Sequence, residues 1–314
     1  MWRSCAAMYI DWKRSEIKKL NRNIRSIKEN LLTDMPTDIR EITDLKEIVA
    51  KTDAYNLHSH TQFCDGRDSM EAIADAARDA GMVYLGFTPH SPVPIKSPCN
   101  MLMKQLDEYY AETDRLREKH VGVMEVGRSL EIDYLGPDYG PHVDIMQRQP
   151  LDYRLGSVHF VPNQSGVLLD CDGRFERFAG YLKDGYGDDL RYVVEKYFEQ
   201  VLMMIERGGF ELLGHFDKIA GNASQAWPGL EDERWYEALI DDVVSGAASN
   251  GLVVEINTKA YAEKGRFYPA ERWWNKLIEA GVAVAIDSDV HSASKIMSGR
   301  AEALEKFAGL KKKY

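Results

Sequence analysis

Cysteine is scarce in this chain, and the four present, at positions 5, 64, 99 and 171, form no Cys-x-x-Cys pair. No signal-peptide core and no membrane-length apolar run occurs either; "MWRSCAAMYIDWKR" carries charges where a signal core would lie. Together these absences point to a reducing cytoplasm. Positive charge is also short: 40 basic against 50 acidic side chains leave a formal charge of -10. That balance opposes attraction to nucleic acid or to an anionic membrane. Any anionic substrate must therefore be held by local cations. There is no fixed-period repeat and no low-complexity tract.

What is present is alternation. At 314 residues the chain exceeds a usual single domain, although α/β barrels reach about 250 residues as one. From residue 53 onward, short β-rich runs ("AYNLHSH", "VYLGFTPH", "GRSLEIDYL", "YRLGSVHF", "ELLGHFD", "LVVEINT", "VAVAIDSDVH") alternate with helix-like stretches such as "SMEAIADAARDAG" and "ERWYEALIDDVVSGAASNG". Seven such units predict an α/β fold, a distorted (β/α)7 barrel over 53–314 with a helical extension over 1–52. In that extension Ile17, Leu20, Ile24, Ile27 and Leu31 fall on one stripe of a helix over about 11 to 32. The stripe packs on the chain's own barrel or on a second copy in a homodimer; the acidic protein disfavours a membrane surface.

Of the eight histidines, His58, His60, His90, His159, His215 and His291 stand at or just beyond the C-terminal end of an expected strand, and only His120 and His142 do not. In a parallel barrel those ends converge on the face where active sites are built. Residues two apart on a strand share a face, so His58 and His60 look inward together, as do Asp289 and His291. A single such histidine is ordinarily a hydrogen-bonded core or surface residue; six at equivalent positions form a cluster. With Asp65, Glu131 and Asp289 they make nine nitrogen and oxygen donors, suited to Zn, Mn or Fe. Nine exceed one ion's needs, so a centre of two or three divalent metal ions is expected, able to acidify water and neutralise a phosphate. Glu125 rivals Glu131 on the same strand face but lies at the wrong end of the barrel.

"CDGRFER" has the Cys-x5-Arg spacing of cysteine-dependent phosphatases. Asp172 and Glu176 inside that loop would repel phosphate and disfavour the Cys171 thiolate, so the match is read as accidental. Cys64 is read as a small buried filler.

"HSHTQFCDG", "FTPH", "EIDY", "LGSVH", "GHFD", "EINT" and "SDVH" resemble, in order, the successive motifs of the polymerase and histidinol phosphatase (PHP) superfamily, and especially its histidinol-phosphate phosphatases. The resemblance spans residues 55 to about 295. It implies hydrolysis of L-histidinol phosphate to L-histidinol and phosphate in histidine biosynthesis, at a three-metal site. It places His58, His60, Glu131 and Asp289 on the first ion. Glu131 bridges to a second that takes His159 and His215, and Asp65, His90 and His291 hold a third. Asp65, His90, Glu131 and Asp289 are expected to stand closest to the chemistry. In some members a histidine replaces Asp65.

The family grips phosphate with basic residues after the "SVH" and "GHFD" strands. Arg177 and Lys218 are the nearest matches here, although Ala220 stands where the usual basic residue would be. Lys259 and Arg266 are rivals, and Asn257 touches substrate or orders the ligands. Histidinol's ammonium needs an acceptor, for which Glu255, Asp217 and Asp287 are candidates. Other readings are the same chemistry on a nucleotide, phosphotyrosine or sugar phosphate, and a non-catalytic, metal-stabilised PHP module. The complete ligand set argues against the last.

Overall fold

The computed structural model describes residues 43–313, and 43–93 with 97–313 belong to one compact unit. The amphipathic stripe expected over 11–32 lies outside the described residues.

Short strands run through the chain as β1 (Tyr55–Asn56), β2 (Tyr84–Phe87), β3 (Glu125–Arg128), β4 (Glu131–Asp133), β5 (Leu155–Ser157), β6 (Phe160–Pro162), β7 (Leu168–Asp170), β8 (Leu212–Leu213), β9 (Val253–Asn257) and β10 (Ala283–Asp287). They form a β1-β2-β3 sheet and a β10-β9-β8-β5-β4 sheet, parallel throughout. Two isolated parallel bridges, Ser59 to Val290 and His90 to Glu131, join the sheets. The result is the distorted (β/α)7 barrel. Each expected run supplies one stave, and "GRSLEIDYL" supplies β3 and β4 on either side of a break. The antiparallel β6–β7 hairpin and the helices Phe175–Tyr186, Ala220–Ala226 and Arg300–Lys311 were not among the expected elements.

The barrel is filled from below. Tyr55, Leu57, Tyr153, Leu155, Leu212 and Val253 belong to one buried apolar cluster, each such large side chain contributing roughly 1.5–3 kcal/mol relative to exposure. Helix Leu45–Lys51, capped by the Asp44 carboxylate on the Lys46 and Glu47 amides, seats Leu45 in the same cluster. Tyr153 donates to the Leu57 carbonyl at 2.5 Å. A Cβ on Gly86 would meet the Tyr153 hydroxyl at 1.8 Å, so β2 has no room there for a larger residue.

Period two then lifts the interior from apolar to polar. On β9, Val253 belongs to that apolar cluster, whereas Glu255 and Asn257, on the same face, carry the polar contacts of the strand ends. Val254 and Ile256 face the outer clusters. Outside, helix Met70–Asp79 starts where the Ser69 hydroxyl accepts from the Ala72 amide and buries Met70, Ile73, Ala74 and Ala77, an i, i+3, i+4, i+7 stripe against the sheet. No helix among the described residues is long and apolar enough to cross a membrane.

Candidate metal centre

All nine predicted ligands meet at the C-terminal mouth of the barrel. His58 and His60 follow β1, His90 follows β2, Glu131 opens β4, His159 and His215 lie two residues past β5 and β8, and Asp289 and His291 follow β10. Asp65 comes from the loop after His60, held close because a Cβ on Gly66 would lie 2.4 Å from the Thr61 amide nitrogen. Six are buried: His58, His60, Glu131, His159, His215 and Asp289. Asp65, His90 and His291 are half-buried.

Glu131 stands between two sets of imidazoles. Its Oε2 lies 3.3 Å from His58 Nε2 and from His60 Nε2, and 3.1 Å from His90 Nδ1. Its Oε1 lies 3.0 Å from His215 Nε2 and 3.5 Å from His159 Nε2. On the first side Asp289 Oδ1 is 3.0 Å from His60 Nε2, delivered by a backbone held at φ +46°, a left-handed conformation uncommon outside glycine. On a third side Asp65 Oδ1 is 3.4 Å from His60 Nδ1 and from His291 Nε2. His90, expected with Asp65, faces both groups, its Nε2 lying 3.9 Å from Asp65 Oδ1.

These rings are oriented from behind. His58 Nδ1 is 2.6 Å from Glu255 Oε1 and His159 Nδ1 is 2.6 Å from Asp133 Oδ1, so in the neutral rings each Nδ1 carries the proton and each Nε2 a lone pair turned inward. Glu255 Oε2 also accepts from the His215 amide at 2.8 Å. Asn257 Nδ2 donates to Asp289 Oδ2 at 3.0 Å.

The donor set fits divalent cations. His58 Nε2 and His60 Nε2 are 3.1 Å apart, both turned towards Glu131 Oε2. Glu131 Oε2, His90 Nδ1 and Asp65 Oδ1 are buried with no hydrogen-bond partner among the described residues, as expected of atoms aimed at a shared ion. Four triads, His58–His60–Asp289, His60–His90–Glu131, His60–Asp65–His291 and His90–Asp133–His159, each place donor atoms within 4.8 Å of one another. Electrostatics agree. Burial disfavours a charged His58, yet the Glu255, Asp289 and Glu131 carboxylates outweigh it and raise its pKa to about 10. Burial likewise opposes a charged His159, but Asp133 and Glu131 raise it to about 9. Burial, with the His60 charge, lowers His90 and His291 to about 4. The pocket thus draws positive charge while keeping neutral nitrogen donors.

Beside the centre is a cavity of about 390 Å³ whose walls include Asp172, Lys218, Lys259, Tyr268, Asp289 and His291. Two of the five expected substrate-binding residues reach it. Lys218 is buried, its Nζ 3.6 Å from Asp172 Oδ2 and 5.0 Å from the Tyr268 ring centre. Lys259 is more open. Arg266 is instead forked onto Glu231 at 2.7 and 3.0 Å, with a third contact to Asp217. Arg177 is paired with Asp170 over another hollow, with Gly173, Arg174 and Glu176. Asn257 is buried against Asp289 and Glu255.

The expected ammonium acceptors are also engaged elsewhere, and none is on the cavity wall. Glu255 holds His58 and the His215 amide, Asp217 accepts from the Ala270 amide at 2.9 Å, and Asp287 accepts from the Leu57 amide at 2.6 Å. Asp172 lies on that wall, as do Glu263 and the expected ligands Asp65 and Asp289. In the sequence Asp172 stands inside the accidental Cys-x5-Arg match, and nothing local marks it as a cavity residue. Asp133 was legible, since it shares a strand face with Glu131, two residues away. Cys171 is buried and donates to the His159 carbonyl at 3.2 Å, and burial, with Asp170 and Asp172, drives its pKa up, against a nucleophilic role. Glu125 is exposed at the opposite end of its strand.

Glu255→Gln tests the support behind the ligands. An amide cannot accept from both His58 Nδ1 and the His215 amide without turning its own donor on one of them. Metal affinity is expected to fall about 10- to 100-fold, read by equilibrium dialysis against buffered Zn; unchanged affinity removes Glu255 from this role.

A family model described as the PHP domain matches residues 56–259. A Deinococcus radiodurans protein named as a probable histidinol-phosphatase is 26% identical over 255 residues, covering 80% of this chain and 91% of that one. In structure, the chain resembles a Listeria monocytogenes protein assigned as a histidinol phosphatase, with TM-score 0.69, 18% identity, and 79% of this chain and 99% of that chain covered. It also resembles histidinol phosphate phosphatase from Lactococcus lactis, solved with Zn, L-histidinol and phosphate, with TM-score 0.61, 18% identity, and coverage of 82% and 92%. At this identity the two structures speak for the fold.

Proposed function

The chain belongs to the PHP domain family, and from that premise we propose that it is a metal-dependent phosphomonoesterase hydrolysing L-histidinol phosphate to L-histidinol and phosphate in histidine biosynthesis. The observation that carries this reading is Glu131, whose two oxygens face separate imidazole groups, beside a cavity whose walls include Lys218, Lys259, Lys264 and Lys295. The similarity to the Deinococcus protein supports the substrate.

In this reading His58, His60 and Asp289 would hold one ion and His159 and His215 a second, Glu131 would serve both, and Asp65, His90 and His291 would hold a third. Zn, Mn or Fe at these donors would supply Lewis acidity, neutralising phosphate oxygens and acidifying water. The chain's own residues do the rest. Lys218, fixed between Asp172 and the Tyr268 ring, presents its ammonium to a phosphate oxygen at a buried position where charge acts strongly. Asp172, on the same wall, accepts the ammonium of histidinol. The carboxylates behind His58 and His159 keep their Nε2 lone pairs pointed at the centre, and the buried strand ends limit the entry of bulk water.

Phosphate release from a panel of histidinol phosphate, p-nitrophenyl phosphate, phosphotyrosine and nucleotides, with and without metal, tests this. A site built for a charged group rejects analogues lacking it, so kcat/KM for histidinol phosphate is expected to exceed that for p-nitrophenyl phosphate by at least about 10²-fold. Cells lacking histidinol phosphatase should regain growth without histidine. Equal turnover of both esters and no growth would make the protein a general phosphatase; full activity without metal would refute the metal-dependent reading.

A further inference from the structure

We infer that Lys259 is a built-in occupant of the third donor group, a cation that a third metal ion must displace, so that the protein readily takes two ions and resists the third. This rests on the metal centre proposed above and adds a residue that limits its loading.

The geometry is specific about hydrogen positions. His291 Nδ1 lies 2.9 Å from the Asp289 carbonyl oxygen. A carbonyl can only accept, so Nδ1 carries the hydrogen and Nε2 the lone pair. That lone pair has Asp65 Oδ1 at 3.4 Å, another acceptor, and Lys259 Nζ at 3.1 Å. An ammonium can only donate; the contact is therefore an N–H···N bond from Lys259 to His291. The same Nζ is 3.5 Å from Asp289 Oδ1 and 3.4 Å from Asp289 Oδ2, so it draws on a second expected ligand. A metal ion held by Asp65, His90 and His291 needs the same single lone pair. Lysine and ion exclude one another there, and their like charges repel at that distance.

Lys259 is also built to move, whereas Lys218 is not. Its side chain is 39% exposed, against 8% for Lys218. The backbone amide of Lys259 is tied to Asn257 Oδ1 at 3.1 Å, anchoring the stem while the four-carbon side chain reaches into the cavity. Lys218 is a fixed clamp; Lys259 is a removable plug.

The size of the effect follows from occupancy. If the ammonium covers His291 Nε2 about nine-tenths of the time, the apparent affinity for the third ion falls about tenfold.

The test is a Zn titration of the metal-free full-length protein by equilibrium dialysis, with bound metal counted directly. Wild type should bind two equivalents tightly and a third weakly. Lys259→Met, which keeps the stem without the charge, should bind the third at least about tenfold more tightly, while the first two stay tight, the first gaining less because only its Asp289 is shared with the lysine. Lys259→Arg, which keeps a cation, should bind the third as weakly as wild type. Two tight equivalents in both wild type and Lys259→Met with the same or a weaker third in the variant overturn the inference alone. Failure of wild type to hold two equivalents overturns the metal centre, and this inference with it.

Discussion

Replacing Glu131 with alanine is expected to remove more than one equivalent of metal and to lower phosphate release by at least about 10⁴-fold. The first effect follows from the carboxylate's two faces. Oε2 sits among His58, His60 and His90, and Oε1 between His159 and His215. No other ligand among the described residues has each oxygen against a different set of rings, so alanine loosens both groups at once. The imidazoles held close by Glu131 also lose the negative charge that offsets their crowding. By contrast, Asp65→Ala should deplete only the third group, because its Oδ1 faces His60, His291 and His90 from one side. Metal analysis of dialysed protein, with circular dichroism to confirm folding, reads the difference. Unchanged stoichiometry in Glu131→Ala would show that it does not bridge.

Lys218→Met should lower kcat/KM for histidinol phosphate by about 10³-fold, the scale of one lost charge-stabilising donor, with metal content unchanged. Methionine retains the unbranched stem against the Tyr268 ring, and Asp172, which loses its partner, is 35% exposed and reaches water. The ammonium is secure in the native protein: burial works against it, but Asp172 and Asp289 more than compensate, and its pKa lies above the usual lysine value. The clamp therefore stays charged throughout the working range. Arg177→Ala is the matched control, expected within about threefold of wild type because exposed pairs contribute little. A loss below about threefold in Lys218→Met would take the residue out of the site.

The alternation of β-rich runs and helical stretches placed all seven staves, and six histidines at strand ends marked the mouth. Those features are legible because strand period and strand direction are local, and a parallel barrel turns them into convergence in space. Helix Phe175–Tyr186 was hidden by Gly180 and Gly185, which weaken helix propensity. Tertiary packing overrides them, as Phe178 is buried in the main cluster with Phe175 and Leu182 against it. The partners of Arg266 and Arg177 are not legible in the sequence for another reason. A cation near a strand end looks available until its partner is known, and Glu231 lies 35 residues from Arg266. Glu255 was seen, but as an acceptor for substrate; that it stands behind His58 depends on a contact across 197 residues.

The two joints of the barrel set a mechanical role for the centre. Ser59 meets Val290 through a single bridge, where β9 and β10 are laced by a ladder, and β2, laced by a ladder to β3, meets β4 only through His90 and Glu131. The ligands stand astride both seams: His58 and His60 face Asp289 and His291 across one, and His90 faces Glu131 across the other. Ions at the mouth would act as rivets, carrying tension that the backbone leaves slack. Stripping them should make the amides around residues 58–60, 88–91 and 288–291 exchange hydrogen first, with the apolar floor beneath remaining shut.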